Sequence, residues 1–139
     1  MERINELQNI TQQIRSVNGL INLFKDSVDN DTRISTLLSY RDNIDLIIIK
    51  LKDLEKIFEQ DSAFLIENED YEETNINISI VFSFVKILKI ALYSKEYDKI
   101  DFEDLYNYLN TISKIMEKII DHVKNLRCES AENIKPIWE

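Results

Sequence analysis

The chain contains a single glycine, a single proline and a single cysteine among its 139 residues. Turn-rich β architectures need glycine and proline at their corners, and phosphate-binding loops need several glycines close together. The lone cysteine, Cys128, cannot form a disulfide within the chain, which is typical of a protein from a reducing compartment. The composition therefore argues against β-rich folds, phosphate-binding loops and disulfide-stabilised secreted folds.

The N-terminal sequence gives an expectation about location. Residues 1–6 do not lead into the short apolar stretch and small-residue cleavage site of a secretory signal. We therefore expect a cytoplasmic protein, or one that is delivered into a host cytosol. The many Ile, Asn, Lys and Asp residues, with few Gly or Ala, are typical of an AT-rich genome and suggest a bacterial, phage or viral source.

The charge is acidic and unevenly distributed. There are 26 acidic and 17 basic side chains, a net charge of -9. Nucleic-acid binding needs clustered Lys and Arg, so we expect no nucleic-acid partner. Between Lys56 and Lys86 there is no basic residue, whereas seven residues are acidic: Glu59, Asp61, Glu67, Glu69, Asp70, Glu72 and Glu73. The rest of the chain is close to neutral, so the acidity is concentrated in one segment.

Apolar residues recur at steps of three and four along four segments, which is the spacing of one helix face. The predicted helices span about residues 3–28, 33–59, 76–94 and 101–127, with Asp101 as the N-cap of the fourth. Gly19, inside the first, costs about 1 kcal/mol relative to alanine and suggests a close helix crossing. Four amphipathic helices with short links predict an all-α, antiparallel four-helix bundle that forms a single domain over residues 1–139.

The third segment is the most apolar part of the chain. Its first half alternates between apolar and polar residues, as in a strand, but no second strand is present to pair with it. A polar stripe at steps of four, three and three predicts a buried helix instead: Ser79, Ser83, Lys86 and Lys89. The two lysines argue against a membrane span, so we expect no membrane partner.

Residues 60–75 are predicted to form a long acidic loop between helices two and three, because neighbouring carboxylates repel one another. Loops of this length in compact domains are usually functional. We expect the loop to bind a basic surface of a protein partner, with Tyr71 as an aromatic anchor. The predicted partner-binding residues are Glu67, Glu69, Asp70, Tyr71, Glu72 and Glu73.

Apolar residues outside the core spacing suggest a second binding surface. Leu46, Ile48 and Ile49 widen the apolar part of helix two, and helix three is apolar nearly throughout. They predict an interface for a partner helix or for a second copy, and we leave self-association open. Trp138, in the C-terminal tail of residues 128–139, either packs back on the bundle or fills a pocket of a partner.

The sequence contains no catalytic motif. His122 is the only histidine, and the positions at metal-ligand spacing before it are Lys118 and Ile119. The acidic segment lacks the calcium-loop spacing with its central glycine. We therefore predict no catalytic residues, no metal ligands and no cofactor.

The sequence thus predicts a non-enzymatic protein–protein interaction module, such as an inhibitor, immunity or adaptor protein that binds a basic partner. One alternative is an oligomeric or chaperone-like bundle that binds partner helices through apolar faces of helices two and three. Another is a metal-dependent enzyme whose carboxylate site is assembled from several subunits.

Overall fold

Four helices account for almost all of the backbone that the computed structural model describes. It describes the backbone of residues 2–29, 36–65 and 69–134, and the side chains of residues 8–29, 38–59 and 72–124. The helices are α1 (Glu2–Asp29), α2 (Thr36–Leu65), α3 (Glu69–Leu92) and α4 (Phe102–Ile134), with a 3-10 turn at Tyr97–Lys99 before α4. The predicted all-α fold class is confirmed.

Each helix packs on the helices that precede and follow it in the chain, and α1 also packs on α4, which closes the bundle. Two contacts between α1 and α4 show that these helices run antiparallel. Lys25 Nζ lies 3.5 Å from Asn110 Oδ1, and one turn earlier on α1 the Ser113 hydroxyl donates to Asn22 Oδ1 at 3.0 Å. The four-helix bundle is confirmed.

The apolar spacing read from the sequence identifies the core. The helices α1, α2 and α4 bury the residues that recur at three- and four-residue steps, including Ile14, Phe24, Leu51, Leu109 and Met116. A long amphipathic helix gains most of its stability from burial of such a face rather than from intrinsic propensity. The core therefore forms along the predicted faces.

The predicted acidic loop over residues 60–75 is wrong in its extent. The helix α2 continues to Leu65, and α3 already begins at Glu69, so helical backbone covers both ends of the predicted loop. Acidic residues are favourable in the first turn of a helix, where the backbone N–H groups carry partial positive charge. The carboxylates that suggested a loop therefore suit the start of α3.

Two local predictions have different outcomes. Asp101 caps α4 as predicted, because its Oδ1 accepts a hydrogen bond from the backbone N–H of Glu103 at 3.0 Å. Gly19 does not mark a close helix crossing, since a Cβ added there would meet no atom within 4 Å. The glycine in α1 therefore faces open space.

The helix α3 is not buried all round, contrary to the prediction. Its inner face packs into the core at steps of four and three, through Thr74, Ile78, Val81, Val85, Leu88 and Leu92. The opposite side of the helix has no covering element among the parts of the chain that the structure describes. The apolar residues on that side are consequently exposed to solvent.

Candidate functional site

A second apolar seam runs along the solvent side of α3. We call it the α3 outer face and define it by Ile76, Ile80, Ser83, Ile87 and Ile90, which follow one another at steps of four, three, four and three. The four isoleucines are 57%, 38%, 56% and 72% exposed. This spacing is that of a heptad seam, by which one helix packs against another. The outer face thus has the pattern of a helix interface, but no second helix of the described residues packs on it.

A shallow groove of about 430 Å³ lies within the α3 outer face. Its lining includes two small residues one turn apart, Ser79 and Ser83, together with the larger Ile76, Ile80 and Phe84. The Ser83 hydroxyl donates to the backbone carbonyl of Ser79 at 3.0 Å. Small residues between larger ones create a hole of the kind that receives a side chain from a facing helix.

Two of the three predicted apolar positions on α2 are exposed. Leu46 and Ile49 are exposed, 41% and 56% respectively. Ile49 lies one turn after Asp45, which contacts α3, so Ile49 is on the side of α2 that borders α3. The prediction for Ile48 is wrong, because its side chain is buried in the core between the helices.

Polar contacts fix the end of α3 to α2. Arg41 Nε donates to the backbone carbonyl of Leu92 at 2.9 Å, which satisfies a carbonyl in the last turn of α3. The Arg41 guanidinium also lies over the rings of Tyr93 and Tyr97, 4.8 and 5.6 Å from their centroids. These contacts attach the C-terminal end of α3, and with it the outer face, to α2.

A second cluster at the same end joins Asp45 of α2 to Lys89, in α3, and to Tyr93, which directly follows that helix. Lys89 Nζ lies 3.0 Å from Asp45 Oδ1, and the Tyr93 hydroxyl donates to Asp45 Oδ2. The hydrogen bond from Tyr93, and then the ammonium of Lys89, lower the pKa of Asp45. The same hydrogen bond raises the pKa of Tyr93, because ionisation would remove the donor proton.

Charge is polarised along α3. Its first turns are acidic, and the carboxylates of Glu72 and Glu73 are exposed. Its last turns are basic: Lys86 is exposed, with Nζ 4.0 Å from the centroid of the Phe82 ring, and Lys89 is half-buried beside Asp45. The outer face therefore lies between an acidic end and a basic end.

The predicted partner-binding residues are only partly within the described region. Glu72 and Glu73 are exposed on α3, and the backbone of Glu69, Asp70 and Tyr71 forms the start of that helix. Glu67 and Trp138 lie outside the described residues, as do the side chains of Glu69, Asp70 and Tyr71. The proposed role of these acidic residues stays a prediction.

A separate cavity of about 160 Å³ lies at the end of the bundle near the link from α3 to α4. Tyr40, Leu92, Ile100, Phe102 and Leu105 provide its apolar lining, and Asp98 and Tyr97 complete it. Sites for drug-sized ligands are usually about 300–1,000 Å³. The cavity is therefore smaller than the usual site for a molecule of that size.

The described side chains do not form a metal site. Residues 8–29, 38–59 and 72–124 contain no group of three His, Cys, Asp or Glu side chains placed to hold an ion. His122 is half-buried on α4.

One described stretch, Glu72–Leu92, is long and apolar enough to cross a membrane by length and composition, a test that core helices of soluble proteins also pass. Its inner face is packed against α2 and α4 in the bundle.

Comparison with protein-family models, with curated proteins and with solved structures finds no match to the chain.

Four candidate site residues were not predicted from the sequence: Ile76, Ile80, Ile87 and Ile90. The signal was present, because these residues and Ser83 form a second series at steps of three and four, offset from the buried one. Two such series on one helix indicate two contact faces. Within the described chain, α2 and α4 cover one face and leave the other exposed.

Proposed function

We propose that the protein is a non-enzymatic interaction module that binds a helix of a protein partner along the α3 outer face. The proposal rests on one observation, the exposed series of four isoleucines at heptad spacing. Soluble monomers rarely expose a contiguous apolar patch above a few hundred Å², and larger patches usually mark interaction sites. Helix-in-groove recognition uses anchors at this spacing.

A protein helix fits the outer face better than a lipid bilayer does. The basic residues Lys86 and Lys89 lie in the last turns of α3, and a charge within the hydrocarbon region of a membrane is costly. Lys89 is also bound to Asp45, which would have to enter the bilayer with it. At an interface between two helices, charged residues beside an apolar seam are the usual arrangement.

Photo-cross-linking in cells tests the proposal. A benzophenone amino acid is placed at Ile87 in the full chain, and in a matched variant at Leu23, which is exposed on α1 and outside the outer face. We expect irradiation to attach a polypeptide at position 87 and not at position 23. Equal yields at the two positions, or adducts with lipid only, would contradict the proposal.

A second candidate function rests on the exposed carboxylates at the start of α3. Glu72 and Glu73 are fixed on a helix beside the apolar seam, where they favour a basic partner. In this version the protein is an inhibitor, immunity or adaptor protein, and the carboxylates accelerate its association. This second function predicts that the double substitution Glu72→Lys and Glu73→Lys lowers the cross-linking yield at position 87 at low salt, but not at high salt. An unchanged yield at low salt would count against it.

A further inference from the structure

The α3 outer face is arranged almost symmetrically about Ser83. Ile76 and Ile90 lie seven residues before and after it, and Ile80 and Ile87 lie three before and four after. A two-fold axis through such a face places each apolar residue opposite an apolar residue of an identical face. We propose that two copies of the chain associate through this face, with their α3 helices antiparallel and the axis near Ser83. This inference rests on the proposed function.

The charge distribution along α3 favours a second copy in the antiparallel orientation. An axis at Ser83 pairs the acidic first turns of α3, where Glu72 and Glu73 are exposed, with the basic last turns of the other copy's α3, where Lys86 is exposed and Lys89 is half-buried. A parallel pair would place carboxylates against carboxylates and lysines against lysines. Opposite charges flanking an apolar seam determine which orientation two helices adopt.

The residues at the axis are suited to a close approach. Ser83 and Ser79 are small and line the groove, so two backbones can come nearer here than at the isoleucines. The Ser83 hydroxyl already donates to the carbonyl of Ser79, so its donor has a partner before any contact with a second copy. A polar group that is already hydrogen-bonded can be buried without leaving an unsatisfied donor.

Further apolar residues outside the α3 outer face are exposed. Besides the four isoleucines, Leu46, Ile49 and Tyr93 are exposed on α2 and at the end of α3. A standard interface takes roughly 800 Å² from each partner, so the isoleucines of the outer face need further exposed residues of this kind to complete it. The flanking charged residues supply the polar rim that such interfaces have.

Disulfide trapping tests the arrangement, because a disulfide forms only when two Cβ atoms lie within about 3.5–4.5 Å. All variants carry Cys128→Ser, so that the introduced cysteine is the only one, and circular dichroism checks that each is folded. Under mild oxidation we expect Ser83→Cys to link to itself. We expect Ile76→Cys and Ile90→Cys to link to each other in a mixture, and neither to link to itself. Leu23→Cys is the control for random collision.

Two results would overturn the inference. Self-linking of Ile76→Cys above the level of Leu23→Cys would show a parallel pair. A purified chain that remains monomeric in sedimentation at high concentration, with Ser83→Cys linked no more than the control, would exclude the dimer. If position 87 nevertheless photo-cross-links to a different polypeptide in cells, the proposed function stands and only the second copy is wrong.

Discussion

Tyr93 donates its hydroxyl to Asp45 across the contact between α3 and α2, with 2.5 Å between Tyr93 Oη and Asp45 Oδ2. The bond joins the residue that follows α3 to the first half of α2, and Lys89 approaches the same carboxylate from the preceding turn. This cluster fixes the basic end of the α3 outer face. Its protonation state should therefore influence how firmly that face is held.

The first prediction concerns acid stability. The pKa of Asp45 is lower in the folded chain, so its contribution is present at neutral pH and is lost as the pH falls through that lowered pKa, below the ordinary value of 3.8. We expect the Asp45→Asn variant to have a lower melting temperature than the wild type at neutral pH. On acidification, its melting temperature should fall less than that of the wild type. Thermal melts followed by circular dichroism from neutral pH to about pH 3 measure both effects. The same dependence of the melting temperature on pH in the two chains would contradict the assigned role of Asp45.

The second prediction compares two adjacent residues of α3. Leu88 is 5% exposed and Ile87 is 56% exposed. Leu88→Ala should lower the free energy of unfolding by about 2–5 kcal/mol, because it leaves a cavity in the core. Ile87→Ala should change it by less than about 0.5 kcal/mol when measured at low protein concentration, where association does not contribute. Similar losses in urea denaturation for both variants would show that Ile87 is buried within a single chain.

The third prediction is a stabilising substitution. Gly19 lies within α1, and a Cβ at this position meets nothing within 4 Å. Gly19→Ala should therefore raise the free energy of unfolding by roughly 0.5–1 kcal/mol, because alanine loses less backbone entropy in a helix. Chemical denaturation measures the gain. A loss of stability would mean that another element packs closely on α1 at this point.

The fourth prediction concerns the contact between α4 and α3. The Tyr108 hydroxyl donates to the backbone carbonyl of Phe84 at 2.6 Å, and burial raises the pKa of Tyr108. Tyr108→Phe keeps the edge-to-face packing of the ring on Phe84 but removes the hydrogen bond. We expect a loss of about 0.5–1.5 kcal/mol in the free energy of unfolding. An unchanged stability would show that water replaces the hydroxyl without cost.

Much of the fold could be predicted from the sequence, because the buried residues of α2 and α4 follow a regular heptad spacing and few glycines interrupt it. The extent of the loop could not be predicted, because the carboxylates from Glu69 to Glu73 repel one another but also suit the positive N-terminal end of a helix. Repulsion and the helix-end interaction oppose each other, and the spacing of the residues does not show which is larger.

The candidate site was predicted only in part, for a different reason. Two apolar series on α3 are both visible in the sequence, but which of them the bundle covers depends on contacts with α2 and α4. The same holds for α2, where Ile48 turns into the core and its neighbour Ile49 does not. A pattern of residues identifies faces, whereas tertiary packing decides which face remains exposed.

The most direct test of the account measures whether the α3 outer face is covered in the cell. Ile87 and Leu23 are similarly exposed in the single chain, 56% and 63%, so cysteines at the two positions should react with a maleimide at similar rates in dilute purified protein. In the cells that naturally make the chain, with Cys128→Ser in both variants, we predict that labelling at position 87 becomes much slower than at position 23. Equal labelling rates in those cells would contradict the claim that this face binds a partner.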